Sequence, residues 1–207
     1  VKRPHQWSIV TATVILLCIF SYLYADIPSA LWFHTLQYTI FYDLFKRITL
    51  FGDSLWYLVP GLLLFLVFRK KNPFRAFTGL FLFSAVAVSG ISADIIKYIT
   101  GRARPKLYFS DQLYGFYFFH HEPAWISFPS GHSATAFSAA LVFATLYPRW
   151  RLLFLSAAFL IAFSRIFLTK HYLSDAIAGS FLGVISTVLL YNLYFKPKFN
   201  ALKTVEN

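Results

Sequence analysis

The stretch RKKNPFRAFTGLFLFSAVAVSGISADIIKYITGRARP, residues 69–105, decides the fold. It opens on Arg69, Lys70, Lys71 and Arg75, runs through an apolar segment at 76–96, and closes on Lys97, Arg102 and Arg104. At about 1.5 Å rise per residue, such a segment forms a helix about 30 Å long, the thickness of a bilayer's hydrocarbon core. An apolar helix bounded by cations at both ends reads as a membrane span. The dense cluster at 69–75 marks its cytoplasmic end.

Five further apolar runs flank it, at roughly 7–24, 54–68, 133–147, 152–168 and 174–195. A span needs about 17–25 residues, so the runs at 54–68, 133–147 and 152–168 are expected to borrow flanking residues such as Ile48 to Phe51 and Phe128 to Ser133. Lys2 and Arg3 before the first run and Ala25 after it suggest a signal peptide. Its apolar core is too long for one, however, and Leu23 suits cleavage poorly, so an uncleaved span is expected. Between the first two spans, Trp32, Phe33, Leu36, Ile40, Phe41, Leu44 and Phe45 recur at helical spacing, which predicts a helix lying in the interface plane. The expected fold is all-α: a single domain, 1–207, forming a six-transmembrane-helix bundle with an interfacial helix between spans 1 and 2.

Composition supports a bilayer setting. The chain is 58% hydrophobic, 21% aromatic and 13% charged, against about 25% charged in soluble domains. The net charge of +11 would suit a nucleic-acid binder. But the basic residues sit in short gaps between apolar runs, which points to anionic lipid headgroups and not to nucleic acid. The lone cysteine, Cys18, excludes an internal disulfide and a cysteine-based metal site. With both termini inside and six spans, 11 Lys and Arg fall inside and 8 outside. This topology puts the termini in the cytoplasm and turns the gaps at 97–132 and 165–175 to the same outer side. A gap as long as 97–132 is usually functional.

Those two gaps hold three constellations. Lys97 is followed seven residues later by Arg104 and then Pro105; a point charge and a planar fork both suit phosphate oxygens, although cations at a helix end also meet lipid headgroups. Pro129-Ser130-Gly131-His132 opens the fourth run. Pro and Ser start a helix, whose free N–H groups and dipole favour an anion beside His132, although an ordinary capped helix reads the same way. Ser164-Arg165 precedes His171 and Asp175, which are i and i+4 on one helix face. A carboxylate holding one imidazole nitrogen leaves the other free to attack. A structural His–Asp bond is the plain alternative, but ionisable groups at span edges are costly.

Taken together and in this order, the three constellations resemble the type-2 phosphatidic acid phosphatase superfamily, the lipid phosphate phosphatases, in its bacterial membrane form. The family pattern K-x6-RP, PSGH and SR-x5-H-x3-D is met without departure by Lys97, Arg104 and Pro105, by Pro129 to His132, and by Ser164, Arg165, His171 and Asp175. The resemblance implies a metal-independent, cofactor-free hydrolase. In it His171 takes the phosphoryl group, Asp175 orients His171, and His132 protonates the departing oxygen and later activates water. Lys97, Arg104, Arg165, Ser130 and the Gly131 N–H hold the phosphate. Three fixed cations neutralise charge without magnesium.

The implied substrate is a membrane lipid phosphate: undecaprenyl pyrophosphate, phosphatidylglycerophosphate, phosphatidic acid or the 1-phosphate of lipid A. It would be met at the outer face of a bacterial inner membrane. The same site would serve a lipid-to-lipid phosphotransferase. An anion transporter would not need His171 and Asp175 at this spacing, and six apolar runs argue against a soluble haloperoxidase. Around these residues, Asp94 is expected to pair with Lys97, Asp53 to be structural, Arg102 to be solvated rather than touching the headgroup, and His120 and His121 to line the lipid entrance or anchor a loop. Neither the preferred lipid nor an oligomeric state is read from the sequence.

Overall fold

The computed structural model describes residues 4–120 and 122–205, so Lys2, Arg3 and His121 lie outside the described residues. Among the described residues ten α-helices run in order: α1 Pro4–Phe20, α2 Asp26–His34, α3 Ile40–Ile48, α4 Leu55–Phe68, α5 Pro73–Thr100, α6 Pro105–Asp111, α7 Gly131–Leu146, α8 Arg151–Phe167, α9 Leu173–Leu190 and α10 Lys196–Val205. Among the described residues there is no strand, only an isolated bridge between Arg102 and Phe116.

Among the described residues five helical stretches are long and apolar enough to cross a membrane: Gln6–His34, Ile40–Phe68, Pro73–Thr100, Pro148–Phe167 and Leu173–Leu202. The apolar helix Gly131–Leu146 is shorter. Its neighbours explain why 16 residues suffice. α7 packs against α5, α8 and α9 together, and Ser133, Ala134, Thr135, Ala136, Ser138 and Ala140 on it are buried. Where helices meet without water to drive them together, small residues let the backbones come close. Gly179 and Gly183 of α9 do so here: a Cβ on them would collide with the Ser130 and Ala134 carbonyl oxygens of α7. Ser138 Oγ then reaches Ser89 Oγ at 2.8 Å and the Gly183 carbonyl at 3.2 Å.

The segment at 25–53 differs from a single helix. A short π-helical turn at Ser21–Ala25 joins α1 to α2, and the chain turns at 35–39 before α3 begins. Phe33 and Phe45 pack with Phe163 and Phe167 of α8, while Trp32, Ile40, Phe41 and Leu44 stay exposed. A 3₁₀ turn, Thr49–Gly52, follows α3, and Asp53 Oδ1 accepts the Leu55 N–H at 2.9 Å to start α4, the structural role expected of it.

Local chemistry sets the ends of α5. Asn72 caps it by accepting the Arg75 N–H at 3.0 Å, with Pro73 at its first position. Gly101 stops it in a left-handed conformation, φ 53°. The cluster at 69–75 thus lies at one end of α5 and Lys97 at the other, beside the chemical motifs.

Candidate active site

The C-terminal ends of α5 and α8 meet the N-terminal ends of α7 and α9, and the sequence motifs sit on those four ends. The Ser130 N–H donates to the Asp175 carbonyl at 2.9 Å, and the His171 N–H donates to the Arg165 carbonyl at 3.2 Å. A Cβ placed on Gly131 would lie 3.0 Å from Lys97 Nζ, so the lysine rests against the glycine backbone. Arg165, His171, Lys97 and Arg104 all lie near enough for their charges to act on His132. The three motifs therefore form one site.

His171 is buried, 3% exposed, and its Nδ1 is 2.8 Å from the Ser127 carbonyl oxygen. A carbonyl only accepts, so Nδ1 carries the proton and the lone pair lies on Nε2. Asp175 Oδ2 is 3.6 Å from Nδ1, outside hydrogen-bond range. Asp175 instead accepts Ser127 Oγ at 2.6 Å and the Tyr172 N–H, at the start of α9, at 2.9 Å. The carboxylate expected to grip the imidazole directly thus acts through Ser127 and through its field. Burial, which disfavours a charged ring, pushes the His171 pKa down to about 4. Asp175 opposes that shift, while Arg165 and Arg104 add to it.

The cations form a cradle. Arg165 Nη1 donates to Thr49 Oγ1 at 2.7 Å, and Arg104 Nη2 reaches the Ile126 carbonyl at 3.3 Å. The Nε atoms of both arginines, like that of Arg102, are buried without a partner in the protein. Unsatisfied buried guanidinium donors are costly, and an anion in front of them would satisfy them. Burial lowers the Arg104 pKa. Lys97 Nζ pairs with Asp94 Oδ1 at 2.8 Å, as expected from their spacing. Ser130 is buried, and its Oγ accepts from Ser133 Oγ at 2.9 Å and from the Ser133 N–H at 3.4 Å, capping α7. Among the described residues, no group of three or more His, Cys, Asp or Glu side chains is placed to hold a metal ion.

Arg102 departs from expectation. It is fully buried, not solvated. Nη1 binds Asp175 Oδ1 at 2.5 Å and Ser174 Oγ at 2.7 Å, and Nη2 binds Asp26 Oδ2 at 2.6 Å. Burial works against its charge, but Asp175 and Asp26 more than offset this and raise its pKa. Sequence reasoning also missed Asp26, Ser127, Thr49 and Gly52. The signal available was weak: Asp26 and Arg102 are opposite charges at the edges of apolar runs, which need partners, but no spacing rule pairs them. Gly52 packs against the His132 ring. His120 leans on Trp125 and its Nδ1 meets the Tyr117 carbonyl at 3.0 Å, so it braces its own loop.

The pattern of the PAP2 superfamily matches residues 78–199, more than half of the chain and all three motifs. The chain belongs to the PAP2 superfamily. Its PAP2 relatives include a lipid A 1-phosphatase from Rhizobium etli, 34% identical over 155 residues, a match covering 68% of this chain and 66% of that one. The chain thus spans just under two thirds of the length of this curated relative. Two solved structures align at lower identity. LpxE from Aquifex aeolicus has a TM-score of 0.58 at 21% identity, covering 79% of this chain and 93% of its own. A transmembrane PAP2-type phosphatidylglycerolphosphate phosphatase from Bacillus subtilis has a TM-score of 0.61 at 18% identity, covering 89% and 96%. These likenesses are of fold. The helices and the PAP2 relatives together describe an all-helical, multi-pass membrane protein.

Proposed function

We propose that this protein is a metal-independent lipid phosphatase that hydrolyses a phosphomonoester or diphosphate on a membrane lipid through a phosphohistidine at His171. The observation that carries the reading is the pairing of His171, its proton fixed on Nδ1, with two buried arginines whose Nε atoms lack partners. In this reading Nε2 attacks phosphorus. Lys97, Arg104, Arg165, Ser130 and the Gly131 N–H hold the oxygens, and His132 protonates the leaving oxygen and then activates water. Asp175 keeps His171 oriented.

Of the four candidate lipids, lipid A 1-phosphate has the best support. The similarity to the R. etli protein favours it. So does a recess of about 580 Å³ beside the cradle, lined by His34, Gln37, Tyr42, Arg104, Lys106 and Lys170 among others, with no carboxylate in its wall. Burial and the charges of Arg165, Arg104, Lys106 and Lys46 lower the Lys170 pKa, a crowding of cations that an anionic headgroup would relieve. We place the site at the outer face of a bacterial inner membrane, with both termini cytoplasmic, α7 completing six spans, and α3 lying along the interface. The basic cluster at 69–75, at the far end of α5, supports that orientation.

The test is a panel of the four lipid phosphates in detergent, scored by released phosphate with and without vanadate. Vanadate-sensitive release is expected, highest with lipid A 1-phosphate. Preference for phosphatidic acid would remove the substrate assignment, and phosphate passing to a second lipid rather than to water would make the protein a phosphotransferase.

A further inference from the structure

A carboxylate from the first helical stretch reaches into the catalytic end of the bundle. Asp26 opens α2, belongs to none of the three motifs, and is fully buried. It gathers five donors: Ser21 Oγ at 2.7 Å, the Ser174 N–H at 2.9 Å, Ser174 Oγ at 2.5 Å, Arg102 Nη2 at 2.6 Å and the Tyr114 hydroxyl at 3.2 Å. Arg102 spends its other terminal nitrogen on Asp175 Oδ1. The rings of Tyr22, Tyr114, Phe116, Phe128 and Tyr172 close around the guanidinium, with centroids 4.9 to 5.8 Å from its carbon. Arg102, Asp26 and Asp175 are fully buried, so their charges act at low dielectric.

The charge count is the informative point. One guanidinium lies between two carboxylates, leaving the trio with one net negative charge. A simple Arg102–Asp175 pair would be neutral and would give His171 little compensating field. With Asp26 drawing on the same guanidinium, Asp175 keeps negative charge for its other neighbour, and that neighbour is His171, 3.6 Å away.

The attack step creates the matching positive charge. The Nε2 lone pair forms an N–P bond as the P–O bond to the lipid breaks. The leaving oxygen takes the electron pair and accepts a proton from His132. The His171 ring, still protonated on Nδ1, is then a phospho-imidazolium cation. Water later attacks phosphorus, giving its proton to His132, and the N–P bond breaks with its electron pair returning to Nε2. A fixed net anion beside the ring stabilises the state in which the ring is charged, with no reorganisation during the step.

We propose that Asp26, acting through Arg102, is a positioning residue that sets the negative charge available to His171 during phosphoryl transfer. The proposal rests on the reading of His171 as the nucleophile. It also gives the first helical stretch a catalytic purpose, since Asp26 ties that stretch to Ser174 and Arg102.

The experiment compares Asp26→Asn and Asp26→Glu with the full-length protein in detergent. It measures kcat and KM on a lipid phosphate, the pH–rate profile, and the rate of phosphoenzyme formation by rapid quench. Asp26→Asn is expected to lower kcat and phosphoenzyme formation roughly tenfold, with KM within about twofold. It is also expected to move the acid limb to lower pH, because an imidazolium with less compensating charge loses its proton more readily. Asp26→Glu, which keeps the charge, should recover much of the rate. A merely structural role would lower the folded fraction and leave the acid limb in place.

If Asp26→Asn does not accumulate folded, Ser174→Ala decides. It removes a hydroxyl bonded to both Asp26 and Arg102, at little cost in volume, and should lower kcat several-fold at unchanged KM. Wild-type kcat in either variant overturns the proposal. Absence of any phosphohistidine in the wild-type enzyme would instead sink the nucleophile reading itself, so the two failures are distinguishable.

Discussion

Gly52→Ala tests how the catalytic end is held together, because Gly52 has no catalytic chemistry of its own. A Cβ at this position would lie 2.7 Å from His132 Cδ2, 2.9 Å from His132 Cβ and 2.9 Å from Ile161 Cγ2, where ordinary contact begins at 3.4 Å. His132 Cβ is fixed to α7 and Ile161 to α8, so no flexible tip absorbs the collision. Relief requires the His132 ring to swing or the 3₁₀ turn to back away by roughly half an ångström or more. Overpacking of this kind costs about 1–3 kcal/mol, a fall in the melting temperature of several degrees for a chain this long. The rate should suffer more, since misplacement of a catalytic group by about 1 Å costs on the order of 10²-fold. Turnover of a lipid phosphate by Gly52→Ala is therefore expected to fall by about 10- to 100-fold, with KM nearly unchanged. The assay is phosphate release in detergent, paired with thermal unfolding of the same preparation. Wild-type turnover together with a wild-type melting temperature would show that the turn yields freely and does not position His132.

The two histidines should separate by leaving group: His132→Ala is expected to damage lipid turnover about 10²–10⁴-fold and p-nitrophenyl phosphate turnover much less, while His171→Ala abolishes both. Equal losses on both substrates for His132→Ala, with activity remaining in His171→Ala, would exchange their roles. Because the folded pKa of His171 is about 4 and lies below its ordinary value near 6.5, the nucleophile should stay neutral down to about pH 4; an acid limb of kcat/KM near 6.5 governed by His171 would contradict this. The same shift has a sign for stability: between about 6.5 and 4 the unfolded imidazole binds a proton that the folded one does not, so this contribution is lost as pH falls through that window, and His171→Asn should flatten it in melting curves. Activity should survive EDTA; loss on chelation, restored by magnesium or zinc, would replace the cationic cradle with a metal.

Much of the fold was legible because a bilayer enforces it. The apolar run at 76–96 became α5, Pro73–Thr100, and the run at 174–195 begins with α9. Length and hydropathy suffice where every residue of a span meets lipid or another helix. The run at 133–147 was harder to place. α7 stays at 16 residues rather than borrowing Phe128 to Ser130, because it is enclosed by α5, α8 and α9 and lined with Ser, Ala and Thr. Nor was the bend at 35–39 visible: Trp32 to Phe45 keep helical spacing across it, and only the docking of Phe33 and Phe45 on α8 shows which side is buried.

The site divides along a similar line. Lys97, Arg104, Ser130, Gly131, His132, Arg165, His171 and Asp175 stand at fixed intervals on helix ends, and intervals can be read along a chain. What holds them in place comes from elsewhere: Thr49 against Arg165, Gly52 against His132, the Ser127 carbonyl on His171, and Asp26 on Arg102. Asp26 and Arg102 are 76 residues apart, and nothing between them marks the pairing. Arg102 and Arg104 show the limit most clearly. Two residues apart and chemically identical, both keep a buried Nε without a partner, but one lies in an aromatic box between two carboxylates while the other lines the recess that includes Lys106 and Lys170. Their fates diverge because Gly101 ends α5 in a left-handed turn, and the chain then crosses to bridge Phe116 before Pro105 begins α6. That path sends one guanidinium to the carboxylates that set the charge at His171 and keeps the other for the anion that His171 is proposed to attack.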